Sequence, residues 1–235
     1  MTNFPRISHY YYLLIINLLL LAGCSQSTQD LSDTIQSAFL GPDDNLISPR
    51  EVDKLPYASL YVKMGDNPQA LMILTWAEPT QSPNESVALK WLSANHEVLV
   101  TLSGRIVKTV NLRDGNIIQL ESKNMDPLKL GLQKNSTPHI WEYKISWLPG
   151  YHSNYQAVST FTIGNIESKD LPNGKKSLLH ITEEVKIPQL KQQYKNDYWI
   201  NPHTGAVIAS EQHIFPGSEK IMLSVGKPYA GENNE

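Results

Sequence analysis

From Tyr57 to Val225 the apolar residues recur at every second position in short blocks, and Gly, Pro, Asn and Asp interrupt the blocks. Period two belongs to a strand with one buried face, whereas a helix repeats at 3.6. Ala58, Leu60, Val62 and Met64 alternate with Tyr57, Ser59, Tyr61 and Lys63. Trp141, Tyr143, Ile145 and Trp147 alternate with Glu142, Lys144 and Ser146, and Leu179, Ile181, Val185 and Ile187 share one face of a longer strand. Ala70 to Trp76 is almost wholly apolar, which suits a strand covered on both faces. Gly65-Asp66-Asn67-Pro68, Ser103-Gly104 and Pro172-Asn173-Gly174-Lys175 are turn signals, the second of tight-hairpin length. The blocks amount to about eleven strands, with helices only at the start. Residues 121–138, polar and holding Pro127 and Gly131, read as a long loop or seam. The expected fold is mainly β: an antiparallel sheet curled toward a closed barrel, which removes exposed edges, preceded by short N-terminal helices. A β-sandwich is the alternative.

The front of the chain has a different logic. Arg6 precedes an apolar run from Leu13 to Ala22, and Leu21-Ala22-Gly23-Cys24 follows the form of a lipoprotein cleavage site. The run falls short of the about 20 residues that span a bilayer. Cys24 is the single cysteine, so it has no disulfide partner, and acylation would turn a lone thiol into an anchor. Several acyl chains, at about 0.8 kcal/mol per buried CH₂, hold a protein stably to lipid. Ser25 rather than aspartate follows the cysteine, which favours the outer membrane, with the domain facing the periplasm. The expected organisation is a signal peptide over 1–23, then Cys24, a spacer and short helices over 24–54. A single antiparallel β domain over 55–226 and a loose polar tail over 227–235 complete it. Within the second stretch Leu31, Ile35 and Phe39 form an amphipathic helix. Ser48-Pro49-Arg50-Glu51 has the form of a capped helix start.

Catalytic patterns are missing. The chain carries 20 Lys and Arg against 23 Asp and Glu, with no basic block, so a nucleic acid partner is not expected. The seven histidines, at 9, 96, 139, 152, 180, 203 and 213, stand at no metal-ligand spacing, and no cofactor is expected. No nucleophile elbow, phosphate loop or dinucleotide glycine pattern occurs. Glu183 and Glu184 are adjacent on a strand and point to opposite faces, so they cannot share a cleft. Glu183 falls on the face of Ile181 and Val185, where it needs a cation or a place at the rim. A glycan hydrolase would need two carboxylates distant along the chain, for instance Glu97 with Glu183. Arg105, on a strand beside a tight turn, is either a contact for a partner or an anionic glycan, or a solvated or salt-bridged arginine. Trp76, Trp91, Trp141, Trp147 and Trp199 could stack on sugars, although core packing is the commoner use of such rings.

Several segments in order resemble the YjbF/GfcB family of bacterial lipoproteins, linked to exopolysaccharide and group 4 capsule production. They are Leu55-Pro56-Tyr57-Ala58-Ser59, then Trp91-Leu92-Ser93 with Ser103-Gly104-Arg105-Ile106-Val107-Lys108-Thr109. Tyr198-Trp199, Gly205-Ala206-Val207, Ser210, Gln212 and Pro216 follow. Asn111 departs from the pattern, which has glycine there. The resemblance implies a barrel-like fold, an outer-membrane lipoprotein and a part in making or exporting a surface polysaccharide. It brings no known catalytic residues. The expected role is thus a non-enzymatic accessory factor, attached to the bilayer through acylated Cys24. It would contact other proteins of a polysaccharide secretion system, the glycan, or both. A periplasmic carrier or assembly factor for lipid or lipoproteins is the alternative, motivated by the apolar run Ala70 to Leu74.

Overall fold

A computed structural model describes residues 47–79 and 87–233. The signal segment, Cys24, the expected helix at residues 31–39 and residues 80–86 lie outside the described residues.

The alternating blocks become twelve strands of one antiparallel sheet. They are β1 (Ser59–Met64), β2 (Ala70–Glu78), β3 (Ala88–Leu92), β4 (Val98–Leu102), β5 (Arg105–Val110) and β6 (Asn116–Glu121). The second set is β7 (Ile140–Leu148), β8 (His152–Leu171), β9 (Gly174–Ile187), β10 (Gln192–Ile200), β11 (Val207–His213) and β12 (Lys220–Lys227). The spatial order is β5-β4-β3-β2-β1-β12-β11-β10-β9-β8-β7-β6. Strands that follow each other in the chain are neighbours throughout, and β12 returns to pair with β1. Only β5 and β6, also consecutive, lack a backbone ladder between them. Side chains close that gap. Asn116 Oδ1 accepts from Thr109 Oγ1 and from the Leu112 amide, both at 3.1 Å, and Thr109 Oγ1 accepts from the Ile117 amide at 3.1 Å. The sheet is therefore a nearly closed barrel, and its continuity excludes the sandwich alternative.

One face of each strand fills the interior. Leu60, Met72, Trp91, Leu99, Ile106, Trp141, Tyr143, Ile145, Ile181, Val185, Tyr198 and Leu223 belong to a single buried cluster. In β2, Leu71, Met72 and Ile73 are buried in succession, so both faces are covered there, as the unbroken apolar run implied. On the outer face α1 (Pro49–Lys54) buries Val52. Its start is fixed by Glu51, whose carboxylate accepts from the Ser48 amide at 3.0 Å and from Ser48 Oγ at 2.7 Å.

Three departures from the sequence reading have local causes. Helices are not confined to the start, because α2 (Pro127–Leu130) sits in the polar segment 121–138. Asp126 caps it by accepting from the Leu128 amide at 2.9 Å, and Leu128 and Leu132 are buried in the core. β8 and β9 run well past the expected ends, from Gly164 to Leu178. Beyond a bulge between Ile163 and Ile166, from the Glu167–Leu178 pair outward, they pair only with each other, not with β7 or β10. A ribbon without sheet neighbours has no continuous buried face, so it leaves no clear alternation. Asn111, the one departure from the resemblance read in the sequence, has a φ of 63°, a region asparagine tolerates better than most residues. Its side chain donates to the His96 carbonyl at 3.2 Å.

Candidate functional site

The most concentrated chemistry of the described residues lies inside the barrel. The Ser103-Gly104 turn has φ values of 46° and 83°, and it aims β5 inward against the far wall. Gly104 is pressed so closely on β11 that an added Cβ would stand 2.4 Å from Val207 Cβ. Gln212, on the inner face of β11, completes the unpaired edge of β5. Its Oε1 accepts from the Ile106 amide at 3.0 Å, and its Nε2 donates to the Gly104 carbonyl at 2.8 Å. An edge strand otherwise leaves such groups unpaired.

Arg105 follows the turn and is only 3% exposed. Its Nη1 donates to both oxygens of Glu183 on β9, at 2.9 and 3.0 Å, and lies 3.2 Å from Tyr198 Oη. Nε donates to Asp126 Oδ2 at 2.5 Å and Nη2 to Asp126 Oδ1 at 3.3 Å. The guanidinium carbon sits 4.8 Å from the centre of the Trp141 ring. Glu183 is fully buried. It also accepts from Ser159 Oγ at 2.5 Å, Asn196 Nδ2 at 2.8 Å and Tyr198 Oη at 3.0 Å.

Burial by itself opposes the charge on Glu183. The Arg105 guanidinium and the hydrogen bonds from Arg105, Ser159 and Asn196 outweigh burial and hold the carboxyl below its ordinary range. Burial likewise opposes the charge on Arg105, and Asp126 and Glu183 outweigh it, so the guanidinium is held well above its ordinary value. Burial, reinforced by Glu183, pushes Tyr143 up to about 12. Tyr198 is raised well above the ordinary phenol value, again chiefly by burial. Each group is thus fixed in one protonation state. A carboxylate with both oxygens engaged by five donor contacts has no room to take a proton from a substrate. The cluster ties β5, α2, β9 and β10 together and has the form of a structural tie.

The sequence-predicted residues fall out as follows. Arg105 takes the salt-bridged alternative of the sequence reading: it is buried against Glu183 and Asp126, while Lys108 on the same strand faces solvent. Glu183 has the cation that its apolar surroundings required. Glu97 accepts from Ser93 Oγ at the β3–β4 turn and does not meet Glu183. Trp91, Trp141, Trp147 and Trp199 are buried, and Trp76 is 63% exposed. Among the described residues no three His, Cys, Asp or Glu side chains are grouped to hold a metal ion. Cys24 lies outside the described residues. Sequence reasoning missed Asp126, Ser159, Asn196 and Gln212 as members of the cluster. A polar residue at an inward position was the available signal, as with Asn196, Ser210 and Gln212.

Fold and cluster define a nearly closed antiparallel β-barrel with a filled, ionically tied interior. The chain belongs to the YjbF family, described as the group 4 capsule polysaccharide lipoprotein gfcB, YjbF, whose profile matches residues 32–225. It is 28% identical to the uncharacterized lipoprotein GfcB of Escherichia coli K12 over 218 residues, 92% of this chain and 97% of that one. The uncharacterized lipoprotein YjbF of the same strain is 28% identical over 202 residues, covering 86% and 90%. The crystal structure of the hypothetical lipoprotein YmcC from E. coli K12 superposes with a TM-score of 0.68 at 25% identity, covering 84% of this chain and 96% of that one. The resemblance read from the sequence and the barrel-like fold are both borne out. The family ties the chain to capsule polysaccharide and to a membrane-anchored class of proteins.

Proposed function

We propose that this protein is a non-enzymatic accessory lipoprotein of capsule or exopolysaccharide export. It is anchored in the outer membrane through acylated Cys24, with its barrel in the periplasm. It works through its outer surface, by contact with secretion proteins or with the passing glycan. The observation that carries this reading is the filled interior. Arg105, Glu183 and the surrounding aromatic rings occupy the space that a cleft or lumen would need, and their polar atoms are spent on one another. The lipid-carrier reading required an apolar concavity lined by Ala70 to Leu74, but Leu71, Met72 and Ile73 are packed to 4% exposure or less.

The test is surface polysaccharide in a deletion strain carrying either the wild-type gene or Cys24→Ala. Deletion is expected to reduce the amount or length of the polymer, the wild-type gene to restore it, and Cys24→Ala to restore it poorly at equal protein level. Unchanged polymer in the deletion strain would overturn the proposal.

A further inference from the structure

The outer wall of β9–β11 carries an arrangement that strand geometry alone does not favour. Asp197 on β10 and Glu211 on β11 are directly opposite each other across the ladder. Like charges in that relation destabilise a sheet. Trp199 lies two residues along from Asp197 on the same face, opposite His180. The His180 ring stacks on the indole with centroids 5.0 Å apart and planes at 7°. His180 Nε2 also lies 2.7 Å from Asp197 Oδ1, to which Thr182 Oγ1 donates at 3.2 Å. An indole beside two carboxylates on the outer wall of a sheet is a ready setting for a cation.

One cation is already there, and the projecting ribbon of β8 and β9 brings it. Lys169 Nζ stands 3.2 Å from the centre of the Trp199 ring and donates to Glu211 Oε1, also at 3.2 Å. The ribbon is otherwise held to this wall by few contacts. Glu167 accepts from Trp199 Nε1 at 2.6 Å, Asn173 Nδ2 donates to the Val225 carbonyl at 3.1 Å, and Leu171 packs on a small cluster of Leu178, Trp199 and Ala209. That cluster is separate from the barrel core. A two-stranded ribbon without further sheet neighbours is marginally stable by itself. On the other side of Glu211 stands Lys220, at 2.8 Å. Burial disfavours the Glu211 charge, but the two lysines outweigh it and hold the carboxyl below its ordinary range.

We propose that Trp199 and Glu211 form a recognition site for the protonated amine of an amino sugar, and that Lys169 is a tethered stand-in that occupies the site until the glycan displaces it. The inference rests on the glycan-contact reading above and names the chemistry of the glycan. With Lys169 withdrawn, three carboxylates, Glu167, Asp197 and Glu211, face one ammonium, that of Lys220. The indole, buried beneath the ribbon and stacked on His180 by its other face, then offers the face that Lys169 covered to the sugar ring, and Glu211 binds the amine.

The test titrates the full mature lipoprotein, in detergent, with a glucosamine tetramer and with an N-acetylglucosamine tetramer just below neutral pH, read by tryptophan fluorescence and calorimetry. Lys169→Ala is expected to bind the glucosamine tetramer about tenfold or more tighter than wild type, the range that loss of one competing cation–π and charged contact implies. The acetylated tetramer, whose nitrogen carries no charge, should not bind. Adding Glu211→Gln to Lys169→Ala should reverse the gain. Lys169→Met, which keeps the apolar stem and removes the ammonium, repeats the measurement if the alanine variant loses its fold. A folded Lys169 variant that binds neither oligomer, or binds both alike, overturns the inference and makes the lysine a fastening for the ribbon. Such a result leaves the polysaccharide phenotype of the deletion strain untouched, so the two readings fail separately.

Discussion

Arg105→Ala is expected to lower folding stability by about 3–5 kcal/mol, the cost of removing one partner from a buried ion pair. Glu183 would keep its three neutral donors, Ser159, Asn196 and Tyr198, but would be left as an uncompensated charge in the interior. For a domain of this size that loss corresponds to a fall of roughly 6–20 °C in melting temperature. The pH dependence has a definite sign. The folded-state pKa of Glu183 lies below its ordinary value of 4.5, so its contribution is complete above 4.5 and is lost as pH falls through the folded value. Arg105 is held well above its ordinary value by Asp126 and Glu183, so its contribution persists throughout the acid and neutral range. Acid unfolding of the wild-type protein should therefore be steep below pH 4.5, and flatter in Glu183→Gln. Calorimetry and circular dichroism across that range read both effects. A melting temperature unchanged by Arg105→Ala would mean that the cluster does not hold the barrel.

Gly104→Ala should be almost as costly, about 2–5 kcal/mol. Part of this is the roughly 1–2 kcal/mol that an L side chain loses in a left-handed conformation, here at φ 83°. The rest is overpacking, about 1–3 kcal/mol. The new methyl would stand 2.4 Å from Val207 Cβ, an atom fixed to the backbone of β11 that no rotamer change can move. Gly174, in the β8–β9 turn at φ 106°, has nothing within 4 Å of an added Cβ. Gly174→Ala should show only the conformational part of the cost. Urea unfolding of the two variants side by side separates them, and equal costs would show that β5 is free to back away from β11.

The two effects converge on one hairpin, and they show what a sequence of this kind reveals. The alternation in β1, β7, β9 and β12 was legible because every inward position meets the core, so an error of one residue would bury Lys144 or Glu142. The outer ribbon was not, because residues 164–178 answer to no continuous core face. Glu183 announced itself as a charge among Ile181 and Val185. Its partner could not be read, because Arg105 lies 78 residues earlier and meets it only when the sheet curls back on itself. The same distance hid Gln212, whose side-chain amide pairs with the backbone of Gly104 and Ile106 more than a hundred residues away. The resemblance nevertheless rested on many of these residues: Gly104, Arg105, Thr109, Tyr198, Ser210 and Gln212 all belong to the inward hairpin or to what holds it.

The central claim is that the ionic cluster supports the barrel and that function resides outside it. The most direct test is surface polysaccharide from a deletion strain carrying the paired replacement Arg105→Met with Glu183→Leu. Apolar side chains of similar length often replace a buried ion pair at little cost. Here the replacement also frees Asp126, Ser159, Asn196 and Tyr198, so a lower melting temperature is expected with the fold retained. The account predicts a folded, abundant protein and normal polysaccharide. A protein that is folded and abundant but yields no polymer would contradict it, and would make Arg105 and Glu183 a working site.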